Sequence, residues 1–597
     1  MSRYFLLVAP LAACSWAQLI PAGNPLPRTS NLPVVFINGF QDVCPGSFAS
    51  TFGIADQVLQ ANGEASVFFD TCVLPKTASI EDLGAAFGRF LAGLKYQDGQ
   101  PADRVDIVAH SMGGLVLRSY LSGKQTAPGK FNPPANAHVR KAVFLATPHF
   151  GTPLAALAGV TPILQELASG SQFLFDLATW NQGTDDLRGV DAIAAIGNAG
   201  SGLAVMKGFD DGVAALTSAS LRFYMPGRTR VFPYCHVGTG GLLGFAQLCL
   251  SDATGIANIR AASDPIAQLI TSFFNGTTAW QSVGTAAEDD PFLSAGGGLD
   301  IEGHGSDDST LKLNRASALS TAASKQLNIE SDAVAYTDLF PAGQVTLTTM
   351  SAAAGTVSNT VSLARGGTQP FVVKPGPQIS RVLPAASNVF PLSVAPGMFV
   401  AVYGSSLAGG TAQAGGIPFP TQLSDAQALI NGSPIPIEYA SSSQINAVIP
   451  ESAAGLVQLT VRNGSGSRTV NLLVEAAVPA IFTLDSSGSG AAAALNASNG
   501  QVVSASNPLR AGDYVELFAT GLGQTASRGG LDYAVQQPTV TIGGKDCPVT
   551  FAGRAPGYVG LDQINCVVPP GIDANPSTAV VITSGARTSN VATLAVD

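Results

Sequence analysis

The sequence has little charge and no close group of cysteines. Lys, Arg, Asp and Glu make up 12% of its 597 residues, and the net charge at pH 7 is −10. Nucleic-acid binding relies on positive charge that neutralises phosphates, so this composition argues against a nucleic-acid partner. The seven cysteines include no C-x-x-C pair of the kind common in zinc sites. We therefore predict no metal and no cofactor.

Long apolar runs are also absent after the first residues. None is long enough to span a bilayer, which takes about 20 apolar residues in a helix. Glycine and proline are abundant, with 66 and 38 residues. They favour turn-rich β domains over helical ones, and a length of roughly 150 residues per domain predicts three or four domains.

The beginning of the sequence resembles an export signal. Arg3 precedes an apolar run over residues 4–13, and a small-x-small cleavage site ends at Ala17. We therefore predict a signal peptide over residues 1–17. A second interpretation is a bacterial lipobox that ends at Cys14, which would attach this cysteine to lipid. Both interpretations place the protein outside the cytoplasm, either secreted or periplasmic.

Six cysteines remain once Cys14 is set aside. An even number of cysteines in an exported protein predicts three disulfides. Pairing each cysteine with its nearest neighbour in sequence keeps every bridge local, although the sequence alone leaves the connectivity open. The nearest-neighbour pairs are Cys44 with Cys72, Cys235 with Cys249, and Cys547 with Cys566.

The segment around Ser111 predicts a strand, a tight turn and a helix. The β-branched residues 105–108 end at an Ala-His-Ser-Met-Gly sequence, a form of the nucleophile elbow. Ala109 and Gly113 are small enough for the strand and the helix to approach each other at the serine. The N–H of Met112 then lies at a helix N-terminus, where it can stabilise an oxyanion. The alternative is an ordinary strand-to-helix turn with an incidental serine.

A second strand pattern precedes the loop that would complete the oxyanion hole. The apolar residues 32–37 are followed by Asn38, Gly39 and Phe40. Here the sequence resembles the α/β-hydrolase lipases, whose mostly parallel sheet has helices on both faces. The resemblance implies that the N–H of Phe40 is the second oxyanion donor, beside that of Met112. Lipases usually have His-Gly in this loop, and Asn38 departs from that pattern.

A third segment adds to the resemblance. Residues 141–146 predict another strand, and the Thr-Pro-His-Phe-Gly-Thr-Pro turn that follows recurs in lipases of this type. Within that turn, His149 is predicted to be structural. The predicted α/β-hydrolase domain spans residues 30–285, and it closes with a helix over residues 264–274 that Ser263 caps.

The catalytic histidine follows by elimination. In this fold the triad occurs along the chain in the order serine, acid, histidine. No Asp or Glu lies between Ser111 and His149, which excludes both His138 and His149. His304 lies in an acidic, Gly-rich stretch beyond the expected end of the domain. His236 is therefore the predicted base.

The triad acid is assigned by resemblance. Asp211 stands in a Phe-Asp-Asp-Gly-Val segment that is similar to the D-G-x-V segment of lipases. The resemblance implies that Asp211, directly before the glycine, is the acid, and Asp210 is its rival. Asp185, Asp186 and Asp191 are predicted to be solvated loop residues.

The stretch ahead of this acid has two interpretations. Residues 153–190 are apolar and interrupted by Gly and Pro, and they lie where lipases insert a lid over the acyl pocket. A mobile apolar lid would favour long-chain or aggregated substrates. The alternative is a set of helices that pack in the core.

The remainder of the chain predicts a linker and three all-β modules. Residues 286–309 are rich in Gly and Asp and predict a linker, and residues 310–375 predict a small β module. Short alternating strands with Gly and Pro turns predict Ig-like β-sandwiches over residues 376–476 and 477–597.

An internal repeat supports the two sandwiches. Residues 395–404 match residues 510–519, and residues 444–450 match residues 563–569, in the same order. The pair resembles the IPT/TIG-like modules of secreted bacterial proteins. The resemblance implies no catalysis, and it leaves open whether the modules contact a surface or a polymer or act as passive spacers.

The resemblance as a whole implies a secreted serine hydrolase of the lipase or esterase type. It would cleave carboxylic esters through an acyl-enzyme formed by Ser111, with His236 and Asp211 as its partners. The expected partner is an ester or lipid substrate. Two alternatives are an extracellular polyester depolymerase, whose β modules hold the polymer, and a catalytically inactive adhesin or binding scaffold.

Overall fold

The computed structural model describes most of the chain. The described residues are 19–41, 43–158, 161–169, 171–182, 187–200, 210–221, 227–237, 249, 254–289, 376–387 and 393–597, with the backbone of seven strands between residues 297 and 373. The predicted signal peptide, Cys14, Asp185, Asp186 and His304 lie outside the described residues.

The first unit is built on one seven-stranded sheet. Its strands are β1 Val34–Ile37, β2 Ser66–Phe69, β3 Val105–His110, β4 Val139–Leu145, β5 Asp191–Gly197, β6 Thr229–Phe232 and β7 Thr285–Ala286. The strand order is β2-β1-β3-β4-β5-β6-β7. All neighbouring strands are parallel except β7, which is antiparallel to β6. Parallel sheets of this kind need cover on both faces.

Helices supply that cover. They are α1 Phe48–Phe52, α2 Ala55–Ala61, α3 Ile80–Gly93, α4 Met112–Ser122, α5 Pro153–Ala158, α6 Pro162–Leu167, α7 Gln172–Thr179, α8 Leu216–Ala219 and α9 Pro265–Phe274, with 3-10 turns at Thr71–Val73 and Ala279–Ser282. Successive side chains of β3 enter two different cores. Ile107 packs in the core that contains α3 and α4, and Val108 packs in the core that contains α1, α2 and α9. This architecture confirms the predicted α/β-hydrolase class.

Local sequence signals begin two of these helices. At α3, the hydroxyl of Ser79 and the carboxylate of Asp82 accept each other's backbone N–H, which forms a capping box. At α9, the carboxylate of Asp264 accepts the N–H two residues further on, and Pro265 occupies the first helical position. The predicted cap Ser263 is therefore wrong by one residue, because the carboxylate next to Pro265 makes the capping bond.

The described helices of the 153–190 insertion pack as core helices. Leu167 of α6 and Phe173, Leu174 and Leu177 of α7 are buried in the core beside α3 and α4. Burying side chains of this size stabilises the fold by about 1.5–3 kcal/mol each. The packing agrees with the second interpretation of this stretch.

Two sheets form the module between the first unit and the sandwiches. Its strands are β8 Gly297–Gly303, β9 Ser309–Asn314, β10 Ser324–Ile329, β11 Val334–Phe340, β12 Gly343–Ser351, β13 Gly355–Leu363 and β14 Thr368–Val373. The strand orders are β10-β9-β12-β13 and β11-β8-β14. Strand β8 lies within residues 286–309, so the linker prediction is wrong there. Leu299 and Ile301 alternate with acidic residues at the period of a strand, a signal that the Gly and Asp content obscures.

The remaining residues form two β-sandwiches, here named sandwich 1 and sandwich 2. Sandwich 1 contains β15 Gln378–Pro384, β16 Phe399–Ser405, β17 Ala412–Gln413, β18 Gln427–Ile430, β19 Ser433–Pro434, β20 Ile437–Ala440, β21 Gln444–Val448, β22 Gly455–Asn463 and β23 Gly466–Val474. Sandwich 2 contains β24 Ala480–Ile481, β25 Ala494–Asn496, β26 Gln501–Val502, β27 Tyr514–Thr520, β28 Thr525–Arg528, β29 Leu531–Ala534, β30 Thr539–Ile542, β31 Lys545–Cys547, β32 Val549–Arg554, β33 Asp562–Val567, β34 Asn575–Ser584, β35 Arg587–Thr588 and β36 Ala592–Val596. Each sandwich has two sheets and its own apolar core.

The internal repeat falls on matching strand pairs. In sandwich 1, β16 pairs antiparallel with β21, and Val400 lies opposite Ala447. In sandwich 2, β27 pairs antiparallel with β33, and Val515 lies opposite Cys566. All four side chains are buried. The repeated segments therefore form the same inner strand pair in both modules.

Sandwich 1 packs directly against the first unit. Asn181 and Gln182 follow α7 and are fully buried. The Oδ1 atom of Asn181 accepts the N–H of Leu473 at 3.1 Å, and the Oε1 atom of Gln182 accepts the N–H of Val382 at 2.7 Å. These bonds attach the end of the insertion to the backbone of sandwich 1.

Candidate active site

Ser111 lies in the turn between β3 and α4. Its N–H donates to the carbonyl of Leu145 at 2.9 Å. Its backbone has φ 56° and ψ −130°, a strained conformation that costs a non-glycine residue about 1–3 kcal/mol. Gly113 lets this turn approach β1, since a Cβ there would lie 2.6 Å from the carbonyl oxygens of Ile37 and Asn38. The serine therefore stands on the kind of strained turn that a nucleophile elbow requires.

Three side chains from separate segments form one hydrogen-bonded chain at this turn. The Nε2 atom of His236 lies 2.7 Å from Oγ of Ser111, and its Nδ1 atom lies 2.8 Å from Oδ2 of Asp211. Ser111 is 8% exposed, and the other two residues are 1% exposed. Because an ionised carboxylate only accepts hydrogen bonds, Nδ1 carries the hydrogen and Nε2 accepts the serine hydroxyl.

Asp211, and not Asp210, is the carboxylate that contacts His236. The Oδ1 atom of Asp211 accepts the N–H groups two and three residues further on, at 3.0 and 2.7 Å. These bonds fix the carboxylate with its Oδ2 atom towards the imidazole. Asp210 instead accepts the N–H of Gly212 at 2.7 Å, and burial raises the pKa of Asp210 to about 6.

His110 contacts both the backbone and the ring of His236. Its Nε2 atom lies 3.0 Å from the carbonyl oxygen of His236, and the two rings lie 5.1 Å apart. Burial, with a smaller effect of the neighbouring His236, lowers the pKa of His110 to about 3. The ring is therefore neutral at pH 7, and Nε2 donates its hydrogen because a carbonyl only accepts. The sequence places His110 beside Ser111 but gives no sign of this contact.

The other described histidines lie away from the serine. His149 contacts Arg118, whose Nη1 atom donates to the His149 carbonyl at 2.9 Å and lies 3.3 Å from its Nδ1 atom. Burial lowers the pKa of His149 well below its usual value. The Nδ1 atom of His138 lies 3.1 Å from the carbonyl of Asp103. Neither contact involves Ser111, and the structural role of His149 stays a prediction.

The loop after β1 lies against the serine. A Cβ on Gly39 would come within 2.6 Å of Cβ of Ser111, so this close approach requires glycine. Phe40 is the next residue, and Met112 is the first residue of α4. Within the described residues, no hydrogen bond engages the N–H groups of Phe40 or Met112. Phe40 and Met112 stay the predicted oxyanion donors, each next in sequence to one of the two residues that make this close contact.

A cavity of about 390 Å³ lies beside the serine. Its lining is Gly39, Phe40, Gln41, Val43, Pro45, Ser47, Ser50, Thr51, His110, Ser111, His236, Val237, Gly255, Ala257 and Asn258. Among the described lining residues there is no Asp, Glu, Lys or Arg, and none belongs to the 153–190 insertion. The described helices of the insertion therefore do not line this cavity.

Three disulfides join the cysteines that are nearest neighbours in sequence. Cys44 bonds to Cys72, Cys235 to Cys249, and Cys547 to Cys566. The first connects the loop after β1 to the segment after β2. The second lies next to His236, and the third is in sandwich 2.

Two features are absent from the part of the chain that the structure describes. It contains no cluster of three or more His, Cys, Asp or Glu side chains that could hold a metal ion. It also contains no helix long and apolar enough to cross a membrane.

Comparison with known protein families identifies one of the strand-rich modules that follow the first unit. Residues 384–475 match the family model of the IPT/TIG domain. This match confirms the resemblance predicted for sandwich 1. No curated protein matches the chain.

Solved structures similar to the chain include two enzymes and a glycan-binding protein. Phospholipase PlaB from Legionella pneumophila is 14% identical with a TM-score of 0.42, and the match covers 57% of this chain and 92% of PlaB. The mature lipase BlEst2 from Bacillus licheniformis is 22% identical with a TM-score of 0.28, covering 36% of this chain and 89% of BlEst2. SGBP-B from the mixed-linkage glucan utilization locus of Bacteroides ovatus is 16% identical with a TM-score of 0.19, covering 51% and 64%. At these values, the likenesses add nothing to what the geometry of the site indicates.

Proposed function

We propose that the protein is a serine hydrolase that cleaves carboxylic esters and is of the lipase or esterase type. The observation that carries this proposal is the continuous hydrogen-bonded chain from Ser111 through His236 to Asp211 at the wall of a cavity. A serine hydroxyl is a weak nucleophile by itself, and an adjacent imidazole activates it as a base. The carboxylate holds the imidazole in the tautomer that this step needs.

The reaction begins when Nε2 of His236 takes the hydroxyl proton and Oγ of Ser111 attacks the ester carbonyl carbon. Asp211 stabilises the resulting imidazolium. The carbonyl oxygen becomes negatively charged and accepts hydrogen bonds from the N–H groups of Phe40 and Met112. The intermediate then expels the alcohol, which takes the proton from Nε2. Water attacks the acyl-enzyme by the same steps and releases the carboxylic acid.

The cavity supports an uncharged substrate. Phe40, Val43, Pro45 and Ala257 contribute apolar surface, and no Asp, Glu, Lys or Arg lies among the described lining residues. These residues therefore offer an anionic or cationic substrate no opposite charge to offset its desolvation. An ester with an apolar acyl chain could contact these apolar residues, which supports the lipase or esterase type beside the triad geometry that carries the proposal.

The three disulfides support a location outside the cytoplasm, where thiols are oxidised. The signal peptide over residues 1–17 and the lipid attachment at Cys14 stay alternative predictions for how the protein is exported. The buried contacts of Asn181 and Gln182 with sandwich 1 support a stabilising role for this module.

A fluorophosphonate probe tests the proposed nucleophile. We expect the protein to become labelled and to hydrolyse p-nitrophenyl esters, and Ser111→Ala to lose labelling and at least about 10⁴-fold in kcat. Ser50→Ala is the matched control, because Ser50 lines the same cavity but has no place in the proposed reaction. Labelling of the Ser111→Ala variant would reject the proposed nucleophile, and an unlabelled wild type would favour the inactive scaffold.

The same preparation separates the two ester-cleaving alternatives. Initial rates are compared on a soluble short-chain ester, an emulsified triglyceride and a solid polyester film. We expect turnover of the first two substrates. Release of soluble acid from the film alone would instead support a polyester depolymerase.

A further inference from the structure

The loop that carries the proposed donor Phe40 lies beside the end of the neighbouring strand. Strands β1 and β2 are parallel, and their last residues, Ile37 and Phe69, lie opposite each other. Asn38 and Asp70 follow directly, so the register places them side by side where the two strands end. Asn38 is fully buried, at 0% exposure. An unpaired amide would be costly there, and the neighbouring segment satisfies it.

Asn38 directs both atoms of its amide at this segment. Its Nδ2 donates to Oδ1 of Asp70 at 3.0 Å, and its Oδ1 accepts the N–H of Thr71 at 2.8 Å. Asp70 also accepts the N–H groups of Gly46 at 2.7 Å and Cys72 at 3.0 Å. Because Asn38 precedes the predicted donor and Gly46 follows it, Asp70 holds both ends of the loop.

The hydroxyl of Thr71 bonds to the peptide group of the donor itself. Its Oγ1 donates to the carbonyl of Gly39 at 2.8 Å. That carbonyl and the N–H of Phe40 belong to one planar peptide unit, in which they point in opposite directions. A bond to the carbonyl therefore fixes the direction of the N–H, and it polarises the peptide so that the N–H becomes a stronger donor. The Cys44–Cys72 disulfide joins the same two segments covalently.

We propose that Thr71 is a positioning residue of the oxyanion hole and that the Asn38–Asp70 pair holds it in place. The inference rests on the proposed ester hydrolysis. Thr71 acts through the peptide between Gly39 and Phe40 and does not touch the substrate. The proposal also accounts for Asn38, since one side chain with a donor and an acceptor satisfies both the Asp70 carboxylate and the N–H of Thr71.

The test compares Thr71→Val, which removes the hydroxyl at nearly constant shape, with Thr71→Ser, which keeps it. On p-nitrophenyl acetate, we expect Thr71→Val to lower kcat by about 10-fold to 100-fold with KM changed by less than about twofold. Thr71→Ser should stay within about threefold of the wild type. Thr147→Val is the matched control, because both threonines are buried and the Thr147 hydroxyl has no hydrogen-bond partner in the described structure.

A thionoester substrate separates positioning from general damage to the fold. Its sulfur accepts N–H hydrogen bonds weakly, so its hydrolysis gains little from an oxyanion hole. We expect the ratio of kcat/KM for the ester over the thionoester to fall about as much in Thr71→Val as kcat does. An unchanged kcat, or equal losses on both substrates, would overturn the role of Thr71. Fluorophosphonate labelling of the wild type decides the proposed function separately.

Discussion

Two segments of the first unit are held in place by different chemistry. The loop over residues 38–46 is held by amide and carboxylate hydrogen bonds to Asp70 and by one disulfide. The insertion helices α6 and α7 are held by apolar packing and by a cluster of ionisable side chains, of which all but the half-buried Glu166 are buried, named here the acid cluster. It consists of Glu81, Lys124, Glu166 and Asp176.

In the acid cluster two carboxylates pair with one ammonium, and a third carboxyl lies beside them. The Nζ atom of Lys124 lies 3.0 Å from Asp176 of α7 and 3.5 Å from Glu81 of α3. Glu166 of α6 accepts the N–H of Ile80 at 2.6 Å, at the start of α3. Burial, with the nearby charge of Glu81, raises the pKa of Glu166 to about 8. At neutral pH this carboxyl therefore keeps its proton.

Because different interactions hold the two segments, different substitutions should affect them. The loop at the proposed oxyanion hole depends on a covalent bond and on fixed donors, so a change of charge in the insertion should leave catalysis intact. The insertion depends on charge balance in addition to its apolar packing, and it lines no part of the described cavity. Changes in the acid cluster should therefore affect stability, and changes at the loop should affect turnover.

The largest effect is expected from Lys124→Met, which leaves Glu81 and Asp176 buried without their cation. Breaking a buried ion pair on one side costs about 3–5 kcal/mol, and we expect the free energy of unfolding to fall by that amount in urea denaturation. Arg28→Met is the control, since Arg28 and Asp98 form an exposed pair worth about 1 kcal/mol or less. Similar losses in both variants would refute a special role for the acid cluster.

Removal of the Cys44–Cys72 disulfide by a double change to serine should come next. The bond closes a loop of sequence separation 28, and its loss should lower stability by about 2–4 kcal/mol. We also expect kcat to drop about tenfold, because misplacing a donor weakens the hydrogen bond to the oxyanion.

The comparison pair is Cys547→Ser with Cys566→Ser, which opens a bridge of similar span in sandwich 2. It should destabilise that module and leave kcat unchanged. If both double variants lost turnover equally, the first disulfide would have no particular connection with the loop.

Much of the candidate site was predictable because its parts follow strand ends in a fixed order. A strained turn requires small residues around Ser111. Of the few histidines in the sequence, only His236 follows both the serine and an acid within the predicted domain, as the order of the triad in this fold requires. Asp211 could be separated from Asp210 only by resemblance. The structure distinguishes them through the N–H groups that orient one carboxylate towards the imidazole.

What the sequence could not show depends on contacts between distant segments. Thr71 and Asp70 belong to no motif, and they reach the loop only because β1 and β2 pair in one particular register. The hydrogen bond from His110 to the His236 carbonyl likewise joins residues that are far apart in the sequence, so no local motif indicates it. The linker prediction failed at β8 for a different reason. The glycine and acidic residues of this stretch obscured its alternation of apolar and polar residues. The stretch forms a strand that pairs with β11 and β14.

The smallest effect concerns the pH dependence of stability. Glutamate ionises near pH 4.5 when unfolded, and burial raises the pKa of Glu166 to about 8. Between these values the folded state holds a proton that the unfolded state has lost. The stabilisation from protonated Glu166 is therefore complete below pH 4.5 and is lost as the pH rises to about 8, with a slope of at most about 1.4 kcal/mol per pH unit.

Glu166→Gln should flatten this decline without changing kcat, because the amide keeps a neutral group at the position. Glu64→Gln is the matched control, since burial raises the pKa of Glu64 to about 7 at a site outside the insertion. Hydrogen exchange of the amides in α6 distinguishes the two variants. After division by the intrinsic exchange rate, which itself rises with pH, the loss of protection between pH 4.5 and about 8 should vanish in Glu166→Gln and persist in Glu64→Gln. Persistence in both would mean that the insertion is not held by the protonation of Glu166.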